Sequence, residues 1–114
     1  MFSGGHMKKI FKLGTHIELL KPGIGLDSPE SLEEKYVSSV HDVLDDDTVL
    51  ITNPTKKSRM VPLHAGEKYD CFIFINGKIF KTRVKVKGNK VDHQFRVVEV
   101  EVLTNIVKYE RRQF

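Results

Sequence analysis

The sequence has no tryptophan and one cysteine among its 114 residues. A lone thiol, Cys71, cannot close an intramolecular disulfide, which excludes a disulfide-stapled secreted module and suits a reducing cytosol. No apolar run approaches the ~20 residues of a membrane-spanning helix, so no membrane span is expected. The five histidines (His6, His16, His41, His64, His93) are scattered, and no two sit at a metal-ligand spacing. A phosphate-cradling glycine loop is missing too, because Gly23 and Gly25 follow Pro22 and lead into no recognisable helix.

What is present is a well-solvated chain with 30% charged and 39% hydrophobic residues, the latter in short periodic runs. That pattern and length fit one globular domain with one modest core. The net charge of +4 permits an anionic partner without demanding one. Gly4-Gly5-His6 before Met7 reads as an expression scar, so residues 1–6 are set apart from the domain at 7–103.

From Thr15 the alternation is that of β-strands. Strands are expected over Thr15 to Leu20, Tyr36 to Val43, Thr48 to Thr52, Tyr69 to Ile75, Lys78 to Lys87 and Phe95 to Leu103, with Met60 to Leu63 extended. Between the first two, residues 21–34 form a loop in which Ser28 caps a single helical turn beginning at Pro29. Asp45 to Asp47 make a turn. Asn76-Gly77 between two β-rich runs is a strong hairpin signal, since both turn positions require positive φ. Gly88-Asn89-Lys90 is read as a second such turn. The fold class that follows is all-β, a small antiparallel barrel of six to seven strands whose closure removes exposed edges. Residues 104–114 have mixed charge and read as a linker.

Catalytic constellations are poor. His41 and Asp42 share a strand with Ser38 and Ser39, yet adjacent strand residues face opposite sides, so solvated positions are the favoured reading. Cys71 in its apolar run reads as a small core residue. The acidic triplet Asp45-Asp46-Asp47 lacks the alternation of a calcium loop. Lys81, Arg83, Lys85 and Lys87 share one strand face and could track a polyanion. A register placing Lys81 opposite Glu101 and Arg83 opposite Glu99, with Asp70 opposite Arg83 on the other side, would neutralise most of that stripe. The Asn76-Gly77 turn sets Phe74 opposite Ile79 and Phe72 opposite Lys81. Phe72 and Phe74 then lie on the charged face, either as a core edge beneath the long loop or as a docking patch.

Three segments in order, Lys35 to Val43, Asp46 to Pro54 and Met60 to Lys68, resemble the N-terminal domain of YcgR-type flagellar brake proteins. Tyr109-Glu110-Arg111-Arg112-Gln113-Phe114 resembles the junction where those proteins enter their PilZ domain. The resemblance covers residues 14–114. It implies a small barrel like the flavin-reductase split barrel, without catalysis and without a cofactor of its own. It further implies that cyclic di-GMP binds the PilZ domain through an Arg-x-x-x-Arg motif at the junction and an Asp/Asn-x-Ser-x-x-Gly motif beyond it. Arg112 matches the first arginine of the junction motif and Arg111 precedes it. The second arginine and the later motif fall outside this sequence, so Arg111 and Arg112 represent a partial ligand site. Implied partners are cyclic di-GMP, through a PilZ domain that this sequence lacks, and a flagellar motor protein of the stator or switch. The implied location is the cytoplasm, with recruitment to the flagellar basal body. Two other functions are kept beside this one: a flavin-binding split-barrel protein, and a small nucleic-acid-binding barrel using Lys81 to Lys87.

Overall fold

The computed structural model describes residues 10–110. Six strands carry the core: β1 (His16–Leu20), β2 (Tyr36–Val43), β3 (Thr48–Thr52), β6 (Lys68–Ile75), β7 (Lys78–Asp92) and β8 (Phe95–Val102). They are hydrogen-bonded in the order β1-β6-β7-β8-β3-β2, and β2 pairs back onto β1, which closes an antiparallel barrel. Three short strands lie outside this ring. β4 (Thr55–Lys56) and β5 (Arg59–Met60) form a hairpin on β2, and β9 (Val107–Tyr109) adds to β7. One short helix, α1 (Glu30–Glu34), interrupts the loop between β1 and β2.

The period-2 alternation explains which face each residue takes. Ile17 and Leu19 of β1, Val49 and Ile51 of β3, Tyr69, Cys71 and Ile73 of β6, Val84 and Val86 of β7, and Val98, Val100 and Val102 of β8 fill the interior. A six-stranded barrel is narrow enough for side chains alone to pack it. Phe11 and Leu63, from the flanking segments, complete the same core and are almost fully buried.

Local chemistry sets the connections. Asn76 and Gly77 both have positive φ (50° and 78°), as the hairpin turn between β6 and β7 requires. The expected register follows from it: Phe74 opposite Ile79, Phe72 opposite Lys81 and Asp70 opposite Arg83. The N-cap of α1 is Pro29 and not Ser28, although Ser28 Oγ accepts the Glu30 N–H at 3.2 Å and its carbonyl the Ser31 N–H at 3.0 Å. Asp45 to Asp47 turn between β2 and β3, the Leu44 N–H donating to the Thr48 carbonyl at 2.9 Å.

Two further expectations need correction. Gly88-Asn89-Lys90 is not a turn; β7 runs through it to Asp92, and the chain reverses at His93 and Gln94, which have φ of 48° and 73°. Gly88 instead follows a β-bulge, the register shifting between Val86, opposite Val100, and Gly88, opposite Glu99. Longer arms move the pairing, so Glu101 faces Lys85 and not Lys81, and Arg83 has no partner in Glu99. Within residues 104–114, read as a linker, Val107–Tyr109 forms β9, paired with β7.

Candidate functional site

The outer faces of β6, β7 and β9 form a surface centred on Asp70, whose side chain is 3% exposed. A buried carboxylate needs compensation. The Arg83 guanidinium donates to Oδ1 through Nε at 2.7 Å, and the Gly23 N–H donates to Oδ2 at 3.3 Å. Lys81 Nζ lies 3.7 Å from Oδ2. The carboxylate thus ties the β1–β2 loop to the barrel while neutralising two members of the basic stripe.

Beside this cluster Tyr109 sits edge-on to Phe72, ring centroids 5.1 Å apart at 79°. The Lys81 ammonium lies 5.7 Å from the Phe72 ring and 6.0 Å from the Tyr109 ring, within cation–π range. Gly25 passes over the same spot: a Cβ there would lie 3.8 Å from the tyrosine hydroxyl. The segment leading into β9 is fastened first. The Thr82 hydroxyl donates to the Thr104 carbonyl at 2.8 Å, the Arg83 N–H to Thr104 Oγ1 at 2.9 Å, and the Leu103 N–H to the Arg83 carbonyl at 2.7 Å. A shallow cavity of about 420 Å³ remains there, lined by Asp70, Lys81, Arg83, Thr104, Asn105 and Val107.

The sequence-derived candidates separate on this frame. Phe72 is fully buried beneath Tyr109 and is therefore a core edge, not an open docking residue. Phe74 is half-buried, tilted against His16 with ring centroids 5.2 Å apart, and it alone of the pair offers surface. Arg111 and Arg112 lie outside the described residues. Farther along the stripe Lys87 Nζ is 3.6 Å from Glu99, while Lys85 lies opposite Glu101 on β8 and the like-charged Lys68 on β6. Lys90 and Lys87 hold the Glu99 carboxyl below the usual carboxylate range, the Lys90 hydrogen bond being the larger cause.

No nucleophile meets a base in the serine–histidine strand. His41 Nε2 bonds Asp92 Oδ2 at 2.8 Å, Asp42 accepts the Val43 N–H at 2.8 Å, and Ser38 donates to the Thr52 carbonyl at 2.7 Å. Burial, with the nearby Asp70 charge, pushes the Cys71 thiol up to about 12, which leaves it unreactive as a nucleophile. Among the described residues no group of three or more histidine, cysteine or acidic side chains could hold a metal ion. No helix among them is long and apolar enough to cross a membrane.

Sequence reasoning missed Tyr109, Thr104 and the use of Asp70 as a hub. The alternation of Val107, Lys108 and Tyr109 was the available signal, obscured by the charged residues around it.

The barrel has known relatives. No curated protein sequence matches this chain. Among solved structures it is similar to the Bacillus subtilis inhibitor of motility, MotI/DgrA, with 17% identity and a TM-score of 0.69. The alignment covers 91% of this chain and 48% of that one, so the chain spans about half the length of that protein. At such identity the likeness is one of fold. The family model PilZNR, described as flagellar protein YcgR, matches residues 23–102, from the loop that touches Asp70 to the last residue of β8. That match spans most of the chain and places it in the YcgR family, as an N-terminal PilZNR domain.

Proposed function

We propose that this domain is the non-catalytic regulatory barrel of a cyclic di-GMP-responsive flagellar brake, acting by protein contact to control motility. In this reading residues 7–103 are the regulatory unit and residues 104–114 lead into a PilZ domain. Arg112 supplies the first arginine of the junction motif and Arg111 precedes it, so the chain carries half of a nucleotide grip. The domain itself takes no cofactor. Its partners are cyclic di-GMP, through the PilZ domain, and a stator or switch protein of the motor. It works in the cytoplasm and is recruited to the flagellar basal body.

The observation that carries the reading is the anchoring of β9. Tyr109, three residues before Arg112, is seated on Phe72, and its strand is paired with β7 from Ile79 to Lys81. A ligand that gathers the arginines therefore pulls on a segment already fixed to the barrel wall. Reorientation of a following domain is thereby transmitted through β9 to β7 and the Asp70 cluster.

Calorimetric titration of cyclic di-GMP tests the reading, using this chain and a version extended through its gene by about one domain length, on the order of 110 residues. Binding to the extended form alone, lost on Arg112→Ala, is the expected result. Tight binding to the short chain would put a complete ligand site in the barrel and overturn the half-grip. A yellow preparation absorbing near the flavin band would replace the proposal with the flavin-binding alternative.

A further inference from the structure

A second surface lies across the molecule from β9 and has no role in the nucleotide reading. A groove of about 620 Å³ runs between the β4–β5 hairpin and the far half of β7, lined by Asn53, Met60, Pro62, Asn89, Val91 and Arg96, among others. Met60 on one wall is 70% exposed and Val91 on the other is 71% exposed. Apolar side chains facing each other across a cleft are costly to leave in water.

The backbone along this groove is also open. On the edge of β7 away from β8, pairing with β6 reaches Lys85, and the Val86 carbonyl and N–H bond to Gly66 and Glu67, each at 2.8 Å. From Lys87 to Asp92 no backbone hydrogen bond is made on that edge among the described residues; only the Asn89 side chain reaches across, to the Leu63 carbonyl at 3.2 Å. Facing it, β5 ends the strand order and, among the described residues, pairs only with β4. Proteins usually guard such an edge with a lysine. Here Lys90 lines the groove, but its ammonium is paired with Glu99.

Charge completes the description. Lys56 and Lys57 of the neighbouring hairpin are matched by Glu34 and Glu33. Glu99 is shared between Lys87 and Lys90, and Asp92 is bonded to His41. Arg96 in the groove wall and Arg59, which precedes Met60 in β5 at the rim and does not line the groove, are exposed and have no ion-pair partner among the described residues. The acids near the groove are therefore committed, while two guanidiniums are free.

We infer that this groove is a docking site for an extended acidic protein segment, which adds a strand to the open edge of β7. Alternate side chains of such a segment would point inward, where apolar ones contact Met60, Pro62 and Val91. Carboxylates flanking them reach Arg59 and Arg96 as charge-assisted hydrogen bonds. A nucleic acid is the poorer occupant, because Lys56, Lys57, Lys87 and Lys90 are paired with acids and the groove offers no aromatic ring for base stacking.

The test titrates the 114-residue chain with a short peptide alternating glutamate and valine, followed by fluorescence anisotropy and amide chemical shifts. Saturable binding is expected, with shifts confined to Arg59, Met60 and residues 89–96. Arg59→Glu and Arg96→Glu should each weaken it about tenfold without lowering the melting temperature. Val91→Ser should also weaken it, and a backbone N-methylated peptide, unable to pair with a strand edge, should not bind. The inference is overturned if no saturation occurs up to millimolar peptide, or if the shifts fall on Lys81 to Lys87. It is equally overturned if heparin or a polyuridylate competes at the same residues and the N-methylated peptide binds as well as the parent, since the groove is then a polyanion surface.

Discussion

Tyr109 covers Phe72: the tyrosine of β9 closes the outer face of β6 that would otherwise leave a phenylalanine in water. The two phenylalanines of that strand are therefore unequal. Phe72 is fully buried, whereas Phe74 keeps a partly open ring beside His16. Phe72→Ala should cost about 3 kcal/mol or more in urea unfolding, as expected for an emptied aromatic site. Phe74→Ser should cost about 1 kcal/mol or less. Tyr109→Ala should fall between them, at about 1–2 kcal/mol, and speed amide exchange at Val107 to Tyr109. Equal costs at Phe72 and Phe74 would mean that β9 does not seal the face.

Acid should weaken the far half of β7 through Glu99. Its carboxyl is nearly buried, and Lys90 and Lys87 depress its pKa in the folded state. A depressed folded value contributes stability that is present above the unfolded value of 4.5 and is lost as pH falls through the lower folded value. Glu99→Gln should therefore lower the melting temperature at neutral pH, and the gap to the parent should close as the pH drops below that range. A gap that stays constant down to strongly acidic pH would show that the lysines do not stabilise the carboxylate.

Cys71 offers a direct readout of opening. With its thiol pushed up to about 12 by burial and placed inside the barrel, it should label with a disulfide reagent only when the barrel opens. Its labelling rate near pH 8 should rise in step with the destabilisation caused by Phe72→Ala. Fast labelling of the unmutated chain would contradict a closed six-stranded core.

Most of this fold can be read in advance, because strand alternation and the Asn76-Gly77 turn agree with each other. The register from Phe72 to Arg83 needs no more than that turn and the period of two. The β7–β8 register was not legible for a physical reason. Gly88-Asn89 has turn composition but serves as a bulge inside a long strand, while His93-Gln94 has ordinary composition and makes the turn. Local preference is overridden there by pairing on either side, eight residue pairs of β7 with β8. At the site, the aromatic positions and the Asp70–Arg83 pair were legible. The coverage of Phe72 was not, since it depends on a strand only three residues long that lies in a mixed-charge stretch.

That override makes a prediction about the second hairpin. His93 and Gln94 adopt left-handed φ values that asparagine and glycine take with far less strain. Replacing the pair with the Asn-Gly found at the first hairpin, as His93→Asn with Gln94→Gly, relieves that cost while leaving β7 and β8 in register. The His93 ring is 90% exposed and makes only a long contact to Asp92, so little packing is lost. The double variant should gain about 1 kcal/mol in urea unfolding. Gly88→Ala should by contrast be tolerated, because Gly88 has no positive φ and a Cβ there would meet nothing within 4 Å. If Gly88→Ala destabilised the chain by more than about 2 kcal/mol and the double variant gained nothing, the turn would belong at Gly88-Asn89. The open edge of β7 that the groove depends on would then be too short to accept a strand.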